Sequence, residues 1–211
     1  MSAQQRNSEQ QALLLPALRT TLAQLLDSVS DIPAERRALL GEAARYVAAQ
    51  LQRGVPARLI FICTHNSRRS HMSQLWAQVA AFSCGLVDVE TFSGGTEATA
   101  FHPNAIAALT RCGFRITKVA DGVNPRYAVV YSDAVPATAT WSKRYDDAAN
   151  PDDGFAAVMT CSDADEACPF VPGAEARFPI RYEDPKRSDG SGREAEVYGA
   201  SCMEIGREMV A

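Results

Sequence analysis

The apolar positions along this chain predict helices at the N-terminus, followed by an alternation of strands and helices. Leucine and alanine recur at helical spacing over residues 10–26 and again over residues 34–51, and Gly54 and Pro56 end the second run. From residue 57 onwards, short apolar runs alternate with amphipathic ones. We therefore expect two parts, an N-terminal helical hairpin extension over residues 1–54 and a larger domain over residues 55–211.

The larger domain is predicted to be an α/β fold with a three-layer open sheet of about four parallel strands. Its predicted strands lie near residues 59–62, 87–92, 114–116, 155–161 and 177–180. Helical patterns occupy residues 70–84, 103–112 and 193–209. The strand–helix–strand–helix order with short connections implies parallel pairing and right-handed crossovers. The less regular stretch over residues 119–154 is expected to hold a strand hairpin, made by residues 127–131 and 138–141.

Candidate chemistry is concentrated where the first strand of this domain ends and its first helix begins. Cys63 ends the strand, Arg69 follows after five intervening residues, and Ser70 comes next. A tight loop between a strand and a helix can point its backbone N–H groups inward, with the positive end of the helix dipole beneath them. The sequence therefore predicts a pocket for a tetrahedral oxyanion, whose positive field favours the thiolate form of Cys63.

The loop residues have separate expected tasks. Arg69 can hold two oxyanion oxygens at once, Ser70 can donate a hydrogen bond to the thiolate, and Asn66 tolerates the left-handed backbone of a tight turn. The predicted oxyanion-binding residues are consecutive along the loop: Thr64, His65, Asn66, Ser67, Arg68, Arg69 and Ser70. The competing interpretation is that Cys63 is a small core residue, as a cysteine at the end of a buried strand usually is.

A second pair of cysteines follows a later strand. Cys161 ends the fourth predicted strand, and Cys168 lies beyond a short acidic segment. Asp184 precedes Pro185, which restricts the backbone of the aspartate to an extended conformation and so fixes the direction of its carboxylate. Because the carboxyl ends of parallel strands open onto one crevice, we expect Cys63 and Cys161 to face it together, with Asp184 able to reach it.

Two other roles for the cysteine pair are a pair of core thiols and half of a zinc site. Zinc requires two more ligands, and the three histidines of the chain show no spacing that supports one. We therefore predict no metal site and no cofactor. The remaining cysteines lie on predicted helices or at their ends and are interpreted as structural: Cys84, Cys112 and Cys202.

These residues resemble the low-molecular-weight tyrosine phosphatase family. The loop over residues 63–70 is similar to the phosphate loop of that fold, and Asp184 before its proline is similar to the general-acid Asp-Pro pair. The segment over residues 161–168 resembles the redox cysteine pair of the thioredoxin-coupled arsenate reductases, which are built on the same fold. The resemblance covers about residues 57–211 and leaves the N-terminal hairpin outside.

The chain also departs from the family pattern at specific positions. His65 stands where the family usually has glycine, and Arg68 replaces a common second cysteine of the loop. The stretch over residues 119–154 is longer than the corresponding segment of the family. We expect this insert to reshape the rim of the pocket.

The resemblance implies a reaction and a set of catalytic residues: Cys63, Arg69, Cys161, Cys168 and Asp184. Cys63 would attack arsenate or a phosphate-like oxyanion while Asp184 protonates the departing oxygen. Cys161 would then attack the Cys63 sulfur and release arsenite. Cys168 would attack Cys161, leaving a disulfide for thioredoxin or a similar thiol reductant.

Two other functions remain open at this point. A phosphatase acting on phosphotyrosine or small phosphoesters would use Cys63, Arg69 and Asp184 and leave the cysteine pair idle. A non-enzymatic anion-sensing or redox-sensing module could use the N-terminal hairpin to reach a partner. The cysteine pair favours an arsenate reductase of the phosphatase superfamily.

Composition narrows the expected partners. The net charge of −4 gives no sign of general nucleic-acid binding, and no apolar run approaches membrane-spanning length. Because the N-terminus lacks a basic region followed by an apolar one, we expect a cytoplasmic protein without membrane contact, whose six cysteines are thiols. The N-terminal hairpin carries no chemically active side chain and is expected to pack on the main domain or to form a homodimer.

Overall fold

The computed structural model describes residues 2–211, except for the side chain of residue 3. The helices, in chain order, are α1 (Ala3–Ala12), α2 (Pro16–Asp27), α3 (Ala34–Gln52), α4 (Arg69–Ser83), α5 (Pro103–Arg111), α6 (Ser162–Ala167) and α7 (Glu194–Met209). Short 3-10 turns cover Val29–Asp31 and Pro185–Ser188. The strands are β1 (Ala57–Cys63), β2 (Val89–Gly95), β3 (Arg115–Ala120), β4 (Arg126–Val130), β5 (Thr138–Thr140), β6 (Phe155–Met159) and β7 (Ala174–Phe178).

The predicted parallel sheet is confirmed. Four strands pair in the order β2-β1-β6-β7, and every neighbouring pair is parallel. Side chains alternate between two buried faces: Leu59 and Phe61 of β1 join the larger hydrophobic cluster, whereas Ile60 and Ile62 join the smaller one. Burial on both faces is what a parallel sheet between two covering layers requires.

One predicted strand belongs to a different sheet. The strand expected near residues 114–116 is β3, which pairs antiparallel with β4 in a separate three-stranded sheet of order β3-β4-β5. Its side chains are exposed except for the half-buried Ile116, so it lacks the apolar surface that the buried parallel sheet demands. The hairpin expected from residues 127–131 and 138–141 is confirmed as the antiparallel pair β4 and β5.

The N-terminal extension contains three helices where a two-helix hairpin is predicted. The expected helix over residues 10–26 is interrupted between α1 and α2, because Pro16 lacks a backbone N–H and starts a new helix. The chain at this break contacts the second sheet, since the Leu15 N–H donates to the Tyr131 carbonyl at 2.9 Å. An apolar periodicity that continues across the break therefore belongs to two helices.

Helix α2 packs into the main core. Leu18, Leu22 and Leu25 of this helix are buried in the same cluster as Trp76 of α4. Gly113 permits the close approach: its φ is +105°, and a Cβ there would lie 2.2 Å from the Leu18 nitrogen. The extension is thus continuous with the core of the main domain. Within residues 2–211, the structure has no helix that is both long enough and apolar enough to span a membrane.

Candidate active site

The loop between β1 and α4 forms a closed turn around the Cys63 thiol. The Cys63 Sγ lies 3.1 Å from the Ser70 Oγ, and the Asn66 Nδ2 donates to the same oxygen at 2.9 Å. Asn66 is fully buried and adopts a φ of +44°, the left-handed conformation expected for this position. Local residue types therefore build the turn that the sequence predicts.

The backbone of this loop is arranged as an anion-binding nest. Within the described chain, the N–H groups of residues 64–68 donate to no protein acceptor. Two of the loop side chains contact residues outside the loop: the Ser67 Oγ donates to the Ala100 carbonyl at 2.7 Å, and the His65 Nε2 lies 3.7 Å from a Glu97 carboxylate oxygen. The loop thus offers mainly backbone donors to a ligand, above the N-terminus of the 15-residue helix α4.

The insert over residues 119–154 braces the outside of this loop. The Lys143 N–H donates to the Asn66 Oδ1 at 2.8 Å, and the Ser142 Oγ donates to the His65 carbonyl at 2.9 Å. Gly95 of β2 completes the wall, because a Cβ there would lie 2.7 Å from the Asn66 nitrogen. Sequence reasoning expects the insert at the pocket rim but misses these contacts, which join residues 77 positions apart.

Two buried basic side chains beside the loop have lowered pKa values. Burial lowers the pKa of His71 to about 3, so the imidazole is neutral; its Nδ1 lies 3.2 Å from the Ser93 Oγ. Burial also lowers the pKa of Lys143 to about 8, and its Nζ lies 4.7 Å from the centre of the Trp141 ring. The first turn of α4, which contains His71, is therefore buried away from water.

Arg69, which begins α4 directly after the loop, forms an ion pair with Asp184. An Arg69 Nη atom donates to the Asp184 Oδ2 at 2.6 Å, and the other Nη donates to the Tyr182 carbonyl at 3.1 Å. The Arg69 Nε is buried and has no hydrogen-bond partner among the described residues. Asp184 keeps about a third of its side chain exposed and also accepts from the Lys186 N–H at 3.0 Å. Arg69 and the predicted general acid Asp184 are therefore in direct contact with each other.

Arg36 of α3, in the N-terminal extension, contacts Tyr182, whose carbonyl accepts a hydrogen bond from Arg69. The Arg36 guanidinium forms a two-bonded ion pair with Glu208 of α7, at 2.8 and 2.7 Å, and its carbon lies 4.9 Å from the centre of the Tyr182 ring. The Tyr182 carbonyl is the one that holds Arg69. No local sequence signal indicates this contact, because Arg36 and Glu208 are 172 positions apart.

Arg68 points away from the loop. Its Nε donates to the Tyr198 hydroxyl at 2.8 Å, and an Nη lies 3.2 Å from Asp189. The Tyr198 hydroxyl in turn donates to Asp189 at 2.7 Å, and the Tyr198 ring stacks on His102 with a centroid separation of 5.5 Å. The side chain of Arg68 therefore ties the loop to α7 and to the segment that follows Asp184.

The second cysteine pair brackets helix α6. Cys161 is buried, and its Sγ lies 3.6 Å from the Oγ1 of Thr64, the residue next to Cys63. Cys161 is also the N-cap of α6, accepting from the Ala164 N–H at 3.4 Å, and the half-buried Cys168 follows the last turn. At a helical rise of about 1.5 Å per residue, the two cysteine Cα atoms lie roughly 10 Å apart.

Helix α6 is held by arginines from the neighbouring strand and loop. Asp165 of α6 is buried and forms ion pairs with Arg177 and Arg181. The Arg177 guanidinium also donates to the Asp165 carbonyl at 2.6 Å and to the Cys168 carbonyl at 3.2 Å. A six-residue helix has little stability of its own, so these contacts hold it in place.

Comparison with known proteins agrees with this geometry. Residues 58–131 match the model of the low molecular weight phosphotyrosine protein phosphatase family. The chain is 28% identical over 127 residues to arsenate reductase 2 of Staphylococcus epidermidis, covering 60% of this chain and 77% of the relative. It is 26% identical over 136 residues to the arsenate reductase of Bacillus subtilis, covering 64% and 79%.

A solved structure supports the same fold. A low molecular weight phosphotyrosine phosphatase from Vibrio cholerae O395 superposes with a TM-score of 0.50 at 16% identity, covering 73% of this chain and 92% of the other. The loop around Cys63, the four-stranded parallel sheet and these similarities lead to one conclusion. The chain has the fold of a solved low molecular weight phosphotyrosine phosphatase, matches the model of that family over residues 58–131, and is similar in sequence to arsenate reductases.

Proposed function

We propose that this enzyme reduces arsenate to arsenite through Cys63 and a disulfide relay that ends at Cys161 and Cys168. The observation that carries the proposal is the position of Cys161, buried beside the loop with its Sγ 3.6 Å from the Thr64 Oγ1. A phosphatase needs no thiol there. The named arsenate reductases among the sequence relatives support the same reaction.

Binding of the oxyanion is assigned to the loop. The backbone N–H groups of residues 64–68 and the buried Nε of Arg69 are donors without protein acceptors in the described chain. A tetrahedral oxyanion supplies the acceptors that these groups need, because a buried unpaired donor costs free energy. Arg69 can then turn part of its guanidinium from Asp184 to the anion.

The first chemical step forms a bond between Cys63 and arsenic. The Ser70 hydroxyl, 3.1 Å from the Cys63 Sγ, stabilises the thiolate by donating to it. The thiolate attacks arsenic, and the oxygen that departs leaves as water after taking a proton from Asp184. The product is a thiol ester of pentavalent arsenic on Cys63.

The next steps reduce arsenic and return the thiolate. Cys161 attacks the Cys63 sulfur, the electron pair of the sulfur–arsenic bond stays on arsenic, and arsenite leaves. Cys168 then attacks Cys161, which forms a Cys161–Cys168 disulfide and frees Cys63. Thioredoxin or a similar dithiol reduces that disulfide. Because a disulfide requires Cα atoms closer than about 7 Å, helix α6 must unwind before this exchange.

Hydrolysis of phosphoesters is the second candidate function. Cys63, Arg69 and Asp184 suffice for a phosphoenzyme mechanism, and the fold is that of a solved phosphotyrosine phosphatase. The two activities share this site and differ in the use of the cysteine pair.

The deciding experiment measures both activities in one set of proteins. Arsenate-dependent NADPH oxidation is followed with thioredoxin and thioredoxin reductase for wild type, Cys161→Ser and Cys168→Ser, and each protein is also tested on an aryl phosphate. We expect multiple-turnover reduction to vanish in both variants. Cys168→Ser should still release one arsenite per enzyme, because it can form the Cys63–Cys161 disulfide.

Hydrolysis provides the control for folding in this experiment. Both cysteine variants should keep the aryl phosphatase activity of wild type, since neither cysteine takes part in hydrolysis. Hydrolysis without arsenate reduction in wild type would identify the enzyme as a phosphatase. Reduction that survives Cys161→Ser would overturn the proposed relay.

A further inference from the structure

Two buried cysteines outside the active site contact each other at the junction of α5 and α7. Cys112 directly follows α5, and Cys202 lies within α7. Their Sγ atoms are 3.6 Å apart, with 6% of Cys112 and none of Cys202 exposed. The sequence pattern predicts only a structural role for both. Because the two thiols are in contact, they could react with each other, and the proposed arsenate mechanism uses neither of them.

We propose that Cys112 and Cys202 form a second disulfide site, oxidised by a peroxide and independent of the Cys161–Cys168 pair. A disulfide needs its sulfurs to approach to about 2.05 Å. The two sulfurs already lie 3.6 Å apart, so they must close by about 1.5 Å. By contrast, Cys161 and Cys168 require helix α6 to unwind first.

The surroundings shift the pKa values of the two thiols in opposite directions. The hydrogen bond with Cys202 lowers the pKa of Cys112, against the opposing effect of burial. The pKa of Cys202 is raised by the hydrogen bond with Cys112 and by burial. Cys112 is also the more exposed of the two residues, at 6% against 0% for Cys202. Cys112 is therefore the attacking thiol and Cys202 the resolving one.

The oxidation balances with hydrogen peroxide as the oxidant. The Cys112 thiolate attacks the peroxide and becomes a sulfenic acid while hydroxide leaves. The Cys202 thiol then attacks the Cys112 sulfur, forming the disulfide and expelling the sulfenic oxygen as water. The proton first lost from Cys112 neutralises the hydroxide. In sum, two thiols and one peroxide give one disulfide and two waters.

The disulfide would join the C-terminal end of α5 to α7. Trp76 of α4 donates its indole N–H to the Cys202 Sγ at 3.3 Å. Tyr198, one turn earlier on α7, holds Arg68 of the loop. The bond closes a chain segment of 90 residues, so it should raise the Tm by about 10 °C through loss of unfolded-state entropy.

The test maps disulfides in the full-length protein treated with hydrogen peroxide. After the remaining thiols are alkylated under denaturing conditions, trypsin releases residues 112–115 and 194–207 as separate peptides, each with one of these cysteines. We expect one cross-linked peptide whose mass is lower by two hydrogens than the sum. Dithiothreitol should remove both the cross-link and the rise in Tm.

Three variants keep the result interpretable. Cys202→Ser retains an acceptor for the Trp76 N–H and should abolish the cross-link and the rise in Tm, as should Cys112→Ser. A Cys161→Ser and Cys168→Ser double variant should still form the cross-link. The proposal is overturned if peptides 112–115 and 194–207 stay separately alkylated while the total thiol content of wild type falls.

Discussion

The loop over residues 63–70 and helix α6 each follow a parallel strand and carry a cysteine of the proposed reaction, yet they are built in opposite ways. In the loop, Asn66 is fully buried and contacts Ser70 on one side and Lys143 on the other. Helix α6 has six residues, and its buried polar contacts converge on Asp165. The loop is fixed by a network, whereas α6 depends on a few ion pairs.

This difference matches the tasks that the two segments have in the proposed reaction. A pocket that stabilises charge must hold its donors in place before the anion arrives, so rigidity is useful there. The resolving cysteines must come together from about 10 Å, so local instability is useful in α6. Changes in the loop should therefore impair both reduction and hydrolysis, while changes around α6 should affect reduction alone.

The largest effect is expected from Arg69→Lys. An ammonium group cannot hold two oxyanion oxygens in one plane, so kcat/KM should fall about 100-fold or more for both activities. Steady-state kinetics with arsenate and with an aryl phosphate provide the measurement. Arg68→Lys is the matched control, because Arg68 binds Tyr198 and Asp189 outside the pocket. A loss confined to one activity would contradict a shared rigid pocket.

Asn66→Ala should also reduce both activities, by about tenfold. The left-handed conformation costs an ordinary residue roughly 1–2 kcal/mol, which asparagine offsets by local hydrogen bonding and alanine cannot, and the amide contacts to Ser70 and Lys143 are lost as well. Asn66→Gly separates the two causes, since glycine accepts the φ of +44° without strain. If Asn66→Gly restores the Tm but not activity, the amide rather than the backbone holds the pocket.

The buried His71 should make the rigid region sensitive to acid. Its folded-state pKa of about 3 lies below the ordinary value of 6.5, so as pH falls below 6.5 the unfolded chain binds the proton and the folded chain does not. The free energy of unfolding should drop by about 2 kcal/mol between pH 7 and pH 5. Urea denaturation of wild type and His71→Asn at several pH values measures this change. If the free energy of unfolding falls equally in both proteins, His71 is not the cause of the acid sensitivity.

Removing the main support of α6 should have a selective effect. Arg177→Met deletes the hydrogen bonds to the Asp165 and Cys168 carbonyls, so amide exchange over residues 162–168 should accelerate about tenfold. Aryl phosphate hydrolysis should stay within about twofold of wild type. Arg181→Met is the control, because half-exposed Arg181 contacts only the Asp165 side chain in this network. Equal acceleration in both variants would show that the carbonyl bonds add nothing.

The smallest expected loss that is shared by both activities tests the N-terminal extension. Arg36→Gln removes the support of the Tyr182 ring, so kcat should fall about two- to fivefold for both reactions as Arg69 becomes less well positioned. Arg37→Gln is the control on the same helix, since Arg37 binds the Ser30 and Ile32 carbonyls within the extension. If both variants lower the Tm but neither changes kcat, the extension supports stability alone.

The sequence by itself determined the elements that depend on neighbouring residues. The buried run of β1, the spacing from Cys63 to Arg69 and the periodicity of α4 lie within one continuous stretch, and the structure has the strand, loop and helix there. The parallel sheet could be predicted because its two central strands, β1 and β6, are short, mostly apolar runs. The roles of the predicted catalytic residues remain predictions for the experiments above.

Only the tertiary structure decided how distant segments meet. The apolar pattern over residues 10–26 continues across a helix break, and the polar strand β3 pairs outside the main sheet, because both depend on what covers them. The same holds for the contacts of Asn66 with Lys143 and of Arg36 with Glu208. Local spacing fixes local geometry, but which buried polar groups become partners is set by packing across the whole chain.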